Sequence, residues 1–509
     1  MPSSDFTHYV KADLARVYDS TETEKKLLAT LAWGDKVEVI SENAKSVEIN
    51  IDAATEDADG SFNIVKRSGF ICTEPRKVIA PLKNNKVLKF DFVDVQQGDG
   101  MVIETPGGKI MLVDGGDNQL FARYLAARFR GSSDDQPKEI DCILVTHGDA
   151  DHFAGLVEIR KSEKNSNPAK RLFIHPSRIF HNGLVKRPSD REQKDLLGPT
   201  VKSGDELLLT GLVDDLVTDV TAEEMNKPFR EWRKAIETFR CRGGVQMQRL
   251  QRGRDDAFGF LSDGEPESIK VTVLGPIPVR HQGKDALKFL GSPSKVARQD
   301  GDGLNLNLKE SRGLSASHTI NGHSVVLHLQ YGDFGFMLAG DLNAEAETVL
   351  VRDHNKGEIS LKADVLKVPH HGSADFKSAF LKAVAPAISV VSSGDESSRK
   401  EFIHPRANLV GALGRFSSLD EPLVFVTEMV AFFEMVGFVS PKEADANKKD
   451  SPPARFFAFR RSAFGIVKVR TDGKRILVYT NSGMKKLNEA YAFTRGTDRA
   501  LKAVSVTQV

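Results

Sequence analysis

The chain has 509 residues, more than one ordinary domain, with 40% hydrophobic and 28% charged residues. Its formal net charge of +1 excludes a global positive field that draws in polyanions, so a nucleic-acid substrate needs a local basic patch. Three scattered cysteines, Cys72, Cys142 and Cys241, argue against a disulfide framework and fit a reducing cytosol. The first twenty residues hold no apolar core fit for a signal peptide, and no run of about 18 apolar residues offers a membrane span. A soluble, cytoplasmic protein without membrane association is expected.

Residues 1–82 read as a small β-rich module. Ala15-Arg16-Val17-Tyr18, Leu27 to Leu31 and Gly34 to Ile40 are short strands separated by turn residues. The segment Leu31-Ala32-Trp33-Gly34-Asp35-Lys36-Val37-Glu38-Val39, with Gly69-Phe70-Ile71 as closing strand, resembles bacterial SH3-like domains. That resemblance implies a module able to bind a protein partner. The alternative is an extra strand layer packed on the main domain.

After the turn Asn84-Asn85-Lys86, a second domain starts at Val87 and is expected to run to about 485. Leu88 to Val95 alternates apolar and polar residues, as a half-buried strand does. Gly98-Asp99-Gly100 turns the chain, Met101 to Glu104 returns as a strand, and Pro106-Gly107-Gly108 leads to the buried strand Ile110 to Val113. That strand ends in Asp114-Gly115-Gly116. Gln119 to Arg130 has helical spacing, and Ile143 to Val145 is a further strand.

Residues 160–270 are polar and read as an insertion that covers or flanks a site. Within it a helix is expected from Pro228 to Arg240, with proline at the first turn. Strands resume at Ile269 to Leu274, Ser324 to Leu329 and Gly335 to Leu338. Gly465 to Arg470 and Arg475 to Tyr479 form a closing hairpin, and residues 486–509 read as a C-terminal tail.

The Ile143 to Val145 strand runs directly into His147-Gly148-Asp149-Ala150-Asp151-His152. Four side chains with imidazole nitrogen or carboxylate oxygen fall within six positions, at a strand's end, among small residues. Such donors hold catalytic divalent metals. Further on, an apolar strand ends in Gly340-Asp341, and Asp364 to Pro369 ends in His370-His371-Gly372-Ser373. His404-Pro405 follows the strand Ala387 to Val391 and a polar loop. An Asp after Gly is ordinarily a turn former, and paired histidines are as readily core as site. Strands that end in ligand-type residues one after another read together as one site.

The order Asp114, HxDxDH, Gly-Asp341 and His370-His371 resembles the metallo-β-lactamase superfamily, with Asp149 where the usual HxHxDH has its middle histidine. With "VDVQQGDG", "TINGHSVVL", "LAGD" and "KVPHHGS", the chain is similar to the hydrolase domain of ComEC-type competence proteins and their soluble relatives. The resemblance implies an α+β fold, an αββα sandwich preceded by the small all-β domain. It also implies two divalent ions, Mn²⁺ or Zn²⁺ or else Mg²⁺. His147 and Asp149 would serve one and Asp151, His152 and His371 the other, with Asp341 between them. Asp114 would support the loop by hydrogen bonds without binding metal. His370, Ser373 and His404 would face substrate or orient ligands, with Asp151, His370 and His404 taking part in catalysis. Which of His370 and His371 binds metal stays open. The superfamily's further histidine has no clear counterpart among His175, His181, His281, His318, His323 and His328, and ordinary structural roles are expected of His323 and His328.

Two cations about 3.5 to 4 Å apart turn a bridging water into hydroxide at neutral pH and offset charge on the scissile group. That chemistry suits an anionic phosphodiester, so the expected activity is a phosphodiesterase or nuclease acting on DNA, RNA or a nucleotide. Lys170-Arg171, Lys186-Arg187 and Arg249 to Arg254 are candidate phosphate contacts. The alternatives are a lactonase or thioesterase type of metallo-hydrolase, against which Asp149 argues, and a partner-binding protein that uses the SH3-like module.

Overall fold

The computed structural model describes residues 6–56, 62–291, 297–299, 306–308, 313–394, 404–430, 432–439, 456–463, 465–481 and 489–509. The amino-terminal part is a seven-stranded sheet built from strands between His8–Val10 and Ile79–Pro81. Its inward positions, among them Val10, Val17, Val37, Val47, Ile49 and Ile71, form a separate small core. This sheet is anchored to the rest of the chain at its edge. Leu14 N donates to Thr507 O at 3.0 Å, Arg475 pairs with Asp13, and Trp33 packs in one cluster with Leu477 and Tyr479.

The larger part has four layers. A ten-stranded and a six-stranded sheet face each other across a dry core in which Phe90, Phe92, Met101 and Val469 meet Leu327, Leu329, Phe336 and Val390. The Phe90 and Phe336 rings stack at 4.2 Å. Helices Leu120–Arg128, Ala150–Ser162 and Lys227–Arg240 cover the outside of the larger sheet, and Ala344–Asn355, Ser378–Val384 and Ala407–Phe416 cover the smaller. Each sheet is therefore buried on both faces where helices lie, as parallel pairings require. Ile110–Asp114 pairs in parallel with Cys142–Leu144, and Phe334–Leu338 in parallel with Val365–Lys367. No described helix is long and apolar enough to cross a membrane.

Three expectations change. The strand Leu88–Val93 is buried at every position, not half-buried, because its outward Lys89 and Asp91 lie beneath a helix and the amino-terminal sheet. Residues 160–270 are not simply an insertion. Arg178–His181 and Gln246–Arg249 extend the ten-stranded sheet, and the helix Lys227–Arg240, capped by the Asn226 side chain, buries Phe229, Trp232, Ile236 and Phe239 in its outer core. Only those few apolar positions carry the signal in a polar stretch. Of the expected tail 486–509, the described residues 489–509 are not a tail either. Ala490–Arg495 and Leu501–Val504 add two strands beyond the expected closing hairpin, and Val509 N reaches back to Leu14 O at 3.0 Å. Their alternation is too short to stand out in the sequence.

Candidate metal site

The strands Ile110–Asp114, Cys142–Leu144, Phe334–Leu338 and Val365–Lys367 end at one edge of the sandwich, and their following loops supply the site. Asp114 is fully buried with φ 56°, a conformation uncommon for a side-chain-bearing residue. In that pose its carboxylate accepts from Thr146 N at 2.8 Å, Thr146 Oγ1 at 2.7 Å and His152 Nδ1 at 2.9 Å. It thereby fixes the His147–His152 loop and the face that His152 presents. Gly98 lets the Gln97 loop approach: a β-carbon there would lie 1.7 Å from Asp151 O. Gln97 Nε2 donates to Asp151 Oδ2 at 2.8 Å.

Asp341 Oδ2 is the hub of the cluster. It lies 3.1 Å from His371 Nε2, 3.3 Å from His152 Nε2 and 3.9 Å from His147 Nε2. His371 Nε2 is 3.6 Å from Asp151 Oδ2, and His147 Nε2 is 3.9 Å from Asp149 Oδ2. Both histidines of the pair take positive φ, 49° for His370 and 53° for His371. Such strain persists where the surroundings over-determine it, and here it separates the two rings. His371 turns into the cluster, with Nδ1 3.1 Å from Ser392 O and 3.3 Å from Asp99 Oδ1. His370 turns aside, its Nε2 3.4 Å from the side-chain amide of Asn321 and its ring 6.2 Å from that of His404. Ser373, half-buried, accepts from Asp375 N at 3.2 Å.

Charge in the cluster is organised around the carboxylates. Burial disfavours the cationic form of His371, yet Asp341 and Asp99 outweigh it and raise the group to about 10. Burial is likewise overcome at His152, where Asp341 and Asp114 hold the pKa well above the usual imidazole range. His147 goes the other way, well below, through burial and the neighbouring His152 charge. Burial raises Asp149, aided by Asp151 and opposed by Lys186. His404 is lowered to about 4 by burial and by the charges of His371 and His370.

Residues 93–215 match the family model of the metallo-beta-lactamase superfamily. The chain carries a metallo-beta-lactamase superfamily domain. It is also similar to ComE operon protein 3 of Bacillus subtilis (strain 168), 32% identical over 98 residues, which are 19% of this chain and 12% of that protein. The chain thus aligns with only a small part of that relative's length.

A metallo-beta-lactamase superfamily domain implies a divalent metal, and the side chains fit one. His152 Nε2, His371 Nε2 and Asp341 Oδ1 are buried without a hydrogen bond, and such groups are costly to leave unpaired. Ligand atoms of His147, His152 and Asp341, and of Asp151, His152 and His371, fall within 4.8 Å of one another. A cation among them would satisfy every facing lone pair. Asp149 stands apart from these groupings because its carboxylate pairs with Lys186.

The sequence reading gave no role to Asp99, Lys367, Gln97 or Asn321, and marked Lys186 only as a candidate phosphate contact, not as the partner of Asp149. Asp99 looks like a turn residue between two glycines, but it is buried, pairs with Lys367 and supports His371. Lys367 is the one charge in an apolar strand, and that was its signal. The basic patches divide. Lys186 lies at the site, whereas Arg249 pairs with Asp214 and Asp285, and Arg252 with Asp353, so the Arg249 to Arg254 stretch is largely neutralised. His323 and His328 bond to the carbonyls of Lys288 and Lys362 at 2.7 and 2.9 Å, in structural roles.

Proposed function

We propose that the chain is a divalent-metal-dependent phosphodiesterase or nuclease. The observation that carries this reading is the convergence of His152 Nε2, His371 Nε2 and Asp341 on one point, each with a buried, unsatisfied atom. Asp151, His152, Asp341 and His371 would hold one cation, and His147 and Asp149 border a second position beside it. Bound ions would supply Lewis acidity and an activated water. Carboxylates in place of an imidazole favour harder ions such as Mn²⁺ or Mg²⁺ over an all-histidine set, while zinc accepts both donor types.

The remaining residues position and discriminate. Asp99 and Ser392 O hold the His371 ring, and Asp114 holds His152. Lys186 brings an ammonium to the rim, suited to an anionic substrate oxygen. The His370 and His404 rings lie 6.2 Å apart, with Ser373 three positions beyond His370 in the chain, and His404, lowered to about 4, is neutral at physiological pH and able to accept a hydrogen bond. An anionic diester suits this charge arrangement better than a neutral lactone. The motif resemblance to competence-protein hydrolase domains supports the same choice.

The test is cleavage of bis-p-nitrophenyl phosphate and of linear and circular DNA by chelator-stripped protein, restored with Mn²⁺, Mg²⁺ or Zn²⁺, beside Asp151→Ala. Metal-restored diester cleavage that the variant lacks is expected. Activity on a lactone or thioester panel instead, with every diester untouched, would overturn the reading.

A further inference from the structure

On the outer face of the ten-stranded sheet, the side chains Lys89 and Asp91 of one strand lie beside Lys468 and Arg470 of its partner. The helix Leu120–Arg128 covers them from one side and the amino-terminal sheet from the other, leaving a cleft of about 950 Å³. It lies by Ile110, where the strand that leads to Asp114 begins, roughly 13 Å of strand from the metal cluster.

The charges there do not balance. Lys36, Lys89 and Arg128 converge on Glu104 at 3.2, 3.3 and 2.6 Å. Arg128 and Arg470 both pair with Asp91, the latter at 2.8 Å, and Lys468 stands 4.0 Å from it. Five cations thus share two carboxylates, the fully buried Asp91 and Glu104, whose side chain is 12% exposed. Of the other acids in the wall, Asp52 pairs with Arg130 and Glu139 with His175, while Asp35, its Oδ2 accepting from Ala32 N, acts on Lys89, Lys468 and Arg470, so the five cations still face only three carboxylates. Arg470, 1% exposed, keeps its Nε buried without a hydrogen bond. Lys89, Lys468 and Lys138 are all held below the usual amine range by burial, which outweighs the opposing pull of Glu104 on Lys89 and Lys138 and of Asp91 on Lys468, with neighbouring cations adding to the lowering. Half-enclosed positive charge in excess is costly without a counter-charge.

We propose that this cleft binds a phosphate-bearing small molecule of nucleotide size. A multiply charged phosphate meets the surplus of Lys468, Lys138 and Arg470, and guanidinium and ammonium groups are its ordinary partners. The volume falls within the range of small-molecule sites and exceeds what one inorganic ion fills. Phe129, beside Lys138 with the ammonium 5.3 Å from its ring, and Phe6, 45% exposed, put aromatic faces in the same wall, suited to a base. The site does not depend on the hydrolase reading.

The test is calorimetric titration of the full chain in EDTA, so that no metal can recruit phosphate to the cluster, with ATP, 5′-AMP and inorganic phosphate. ATP is expected to bind most tightly, AMP less so and phosphate weakest. Lys468→Met should weaken ATP about tenfold, the size of one charge-assisted contact, and Lys138→Ala should weaken it as well, both with unchanged circular dichroism. Asp151→Ala should leave ATP binding as it is. Absence of binding by ATP at millimolar concentration would overturn the proposal and leave the cations as glue between the modules. Loss of binding in Asp151→Ala but not in Lys468→Met would overturn it too, by moving the ligand to the metal cluster. Equal affinity for phosphate and ATP would overturn the nucleotide-size claim.

Discussion

Lys186 forms an ion pair with Asp149 across 37 positions of chain, and this turns the carboxylate away from the helix that it begins. Asp149 occupies the cap position of Ala150–Ser162 but makes no side-chain cap bond, although aspartate there ordinarily accepts from the second or third amide. Its other oxygen remains 3.9 Å from His147 Nε2. The residue that stands where the superfamily motif has a neutral histidine therefore arrives with its own cation, and the net charge of that corner is conserved.

Lys186 and Asp149 should consequently behave as one unit. Lys186→Met and Asp149→Ala are each expected to lower kcat/KM on bis-p-nitrophenyl phosphate by about 10–100-fold, the usual cost of losing a ligand's partner. The double variant should be no worse than the poorer single one. Losses that multiply would show that the two residues act independently.

The two adjacent histidines should separate in their effects. His371→Ala removes a ring that faces Asp341 at 3.1 Å and is expected to abolish metal retention, read by plasma mass spectrometry after dialysis. His370→Ala removes a ring turned toward Asn321 and His404, so metal content should persist while turnover falls. Metal lost from both variants alike would show that the pair acts as a single ligand unit.

How much of this was legible in the sequence follows from how local each signal is. His147, Asp151 and His152 share one loop, and Asp341 and the His370-His371 pair each follow an apolar strand, so their placement marked them as candidates and the superfamily resemblance implied their roles. The choice between His370 and His371 was not legible, because it depends on two left-handed backbone angles that no residue pattern encodes. Lys186 and Asp99 reach the site from distant or turn-like stretches, and only tertiary packing gives them partners. In the fold, strands with strong alternation were placed to within a residue or two. The helix cover over Lys89 and Asp91, and the two final strands, depend on long-range contacts.

Lys367 and Asp99 form a buried pair, 3% and 6% exposed at their side chains, with Lys367 Nζ also donating to Gly340 O at 3.1 Å. Lys367→Met leaves a buried carboxylate without its cation and should cost roughly 3–5 kcal/mol, measured by urea unfolding of metal-free protein. Adding Asp99→Asn removes the stranded charge and should restore part of that loss. A Lys367→Met protein as stable as the parent would show that the pair contributes specificity alone.

Asp91 gives a pH prediction away from the metal cluster. Burial would raise its pKa, but Arg470, Lys468 and Arg128, with the Tyr124 hydroxyl donating at 2.6 Å, outweigh burial and hold it well below the usual carboxylate range. In the unfolded chain the group titrates near its ordinary value of about 3.9. Above that value both states are ionised and the stabilisation from Asp91 is complete. As the pH falls below it, the unfolded chain takes up a proton that the folded one refuses, so the contribution shrinks until the folded value is passed. Asp91→Asn, which strands several cations, should therefore cost roughly 3–5 kcal/mol near neutrality. That gap between parent and variant should stay level down to about pH 4–5 and narrow below it. Urea unfolding of both proteins across this range decides the matter, and a gap that widens in acid would show that Asp91 is not the group under charge control.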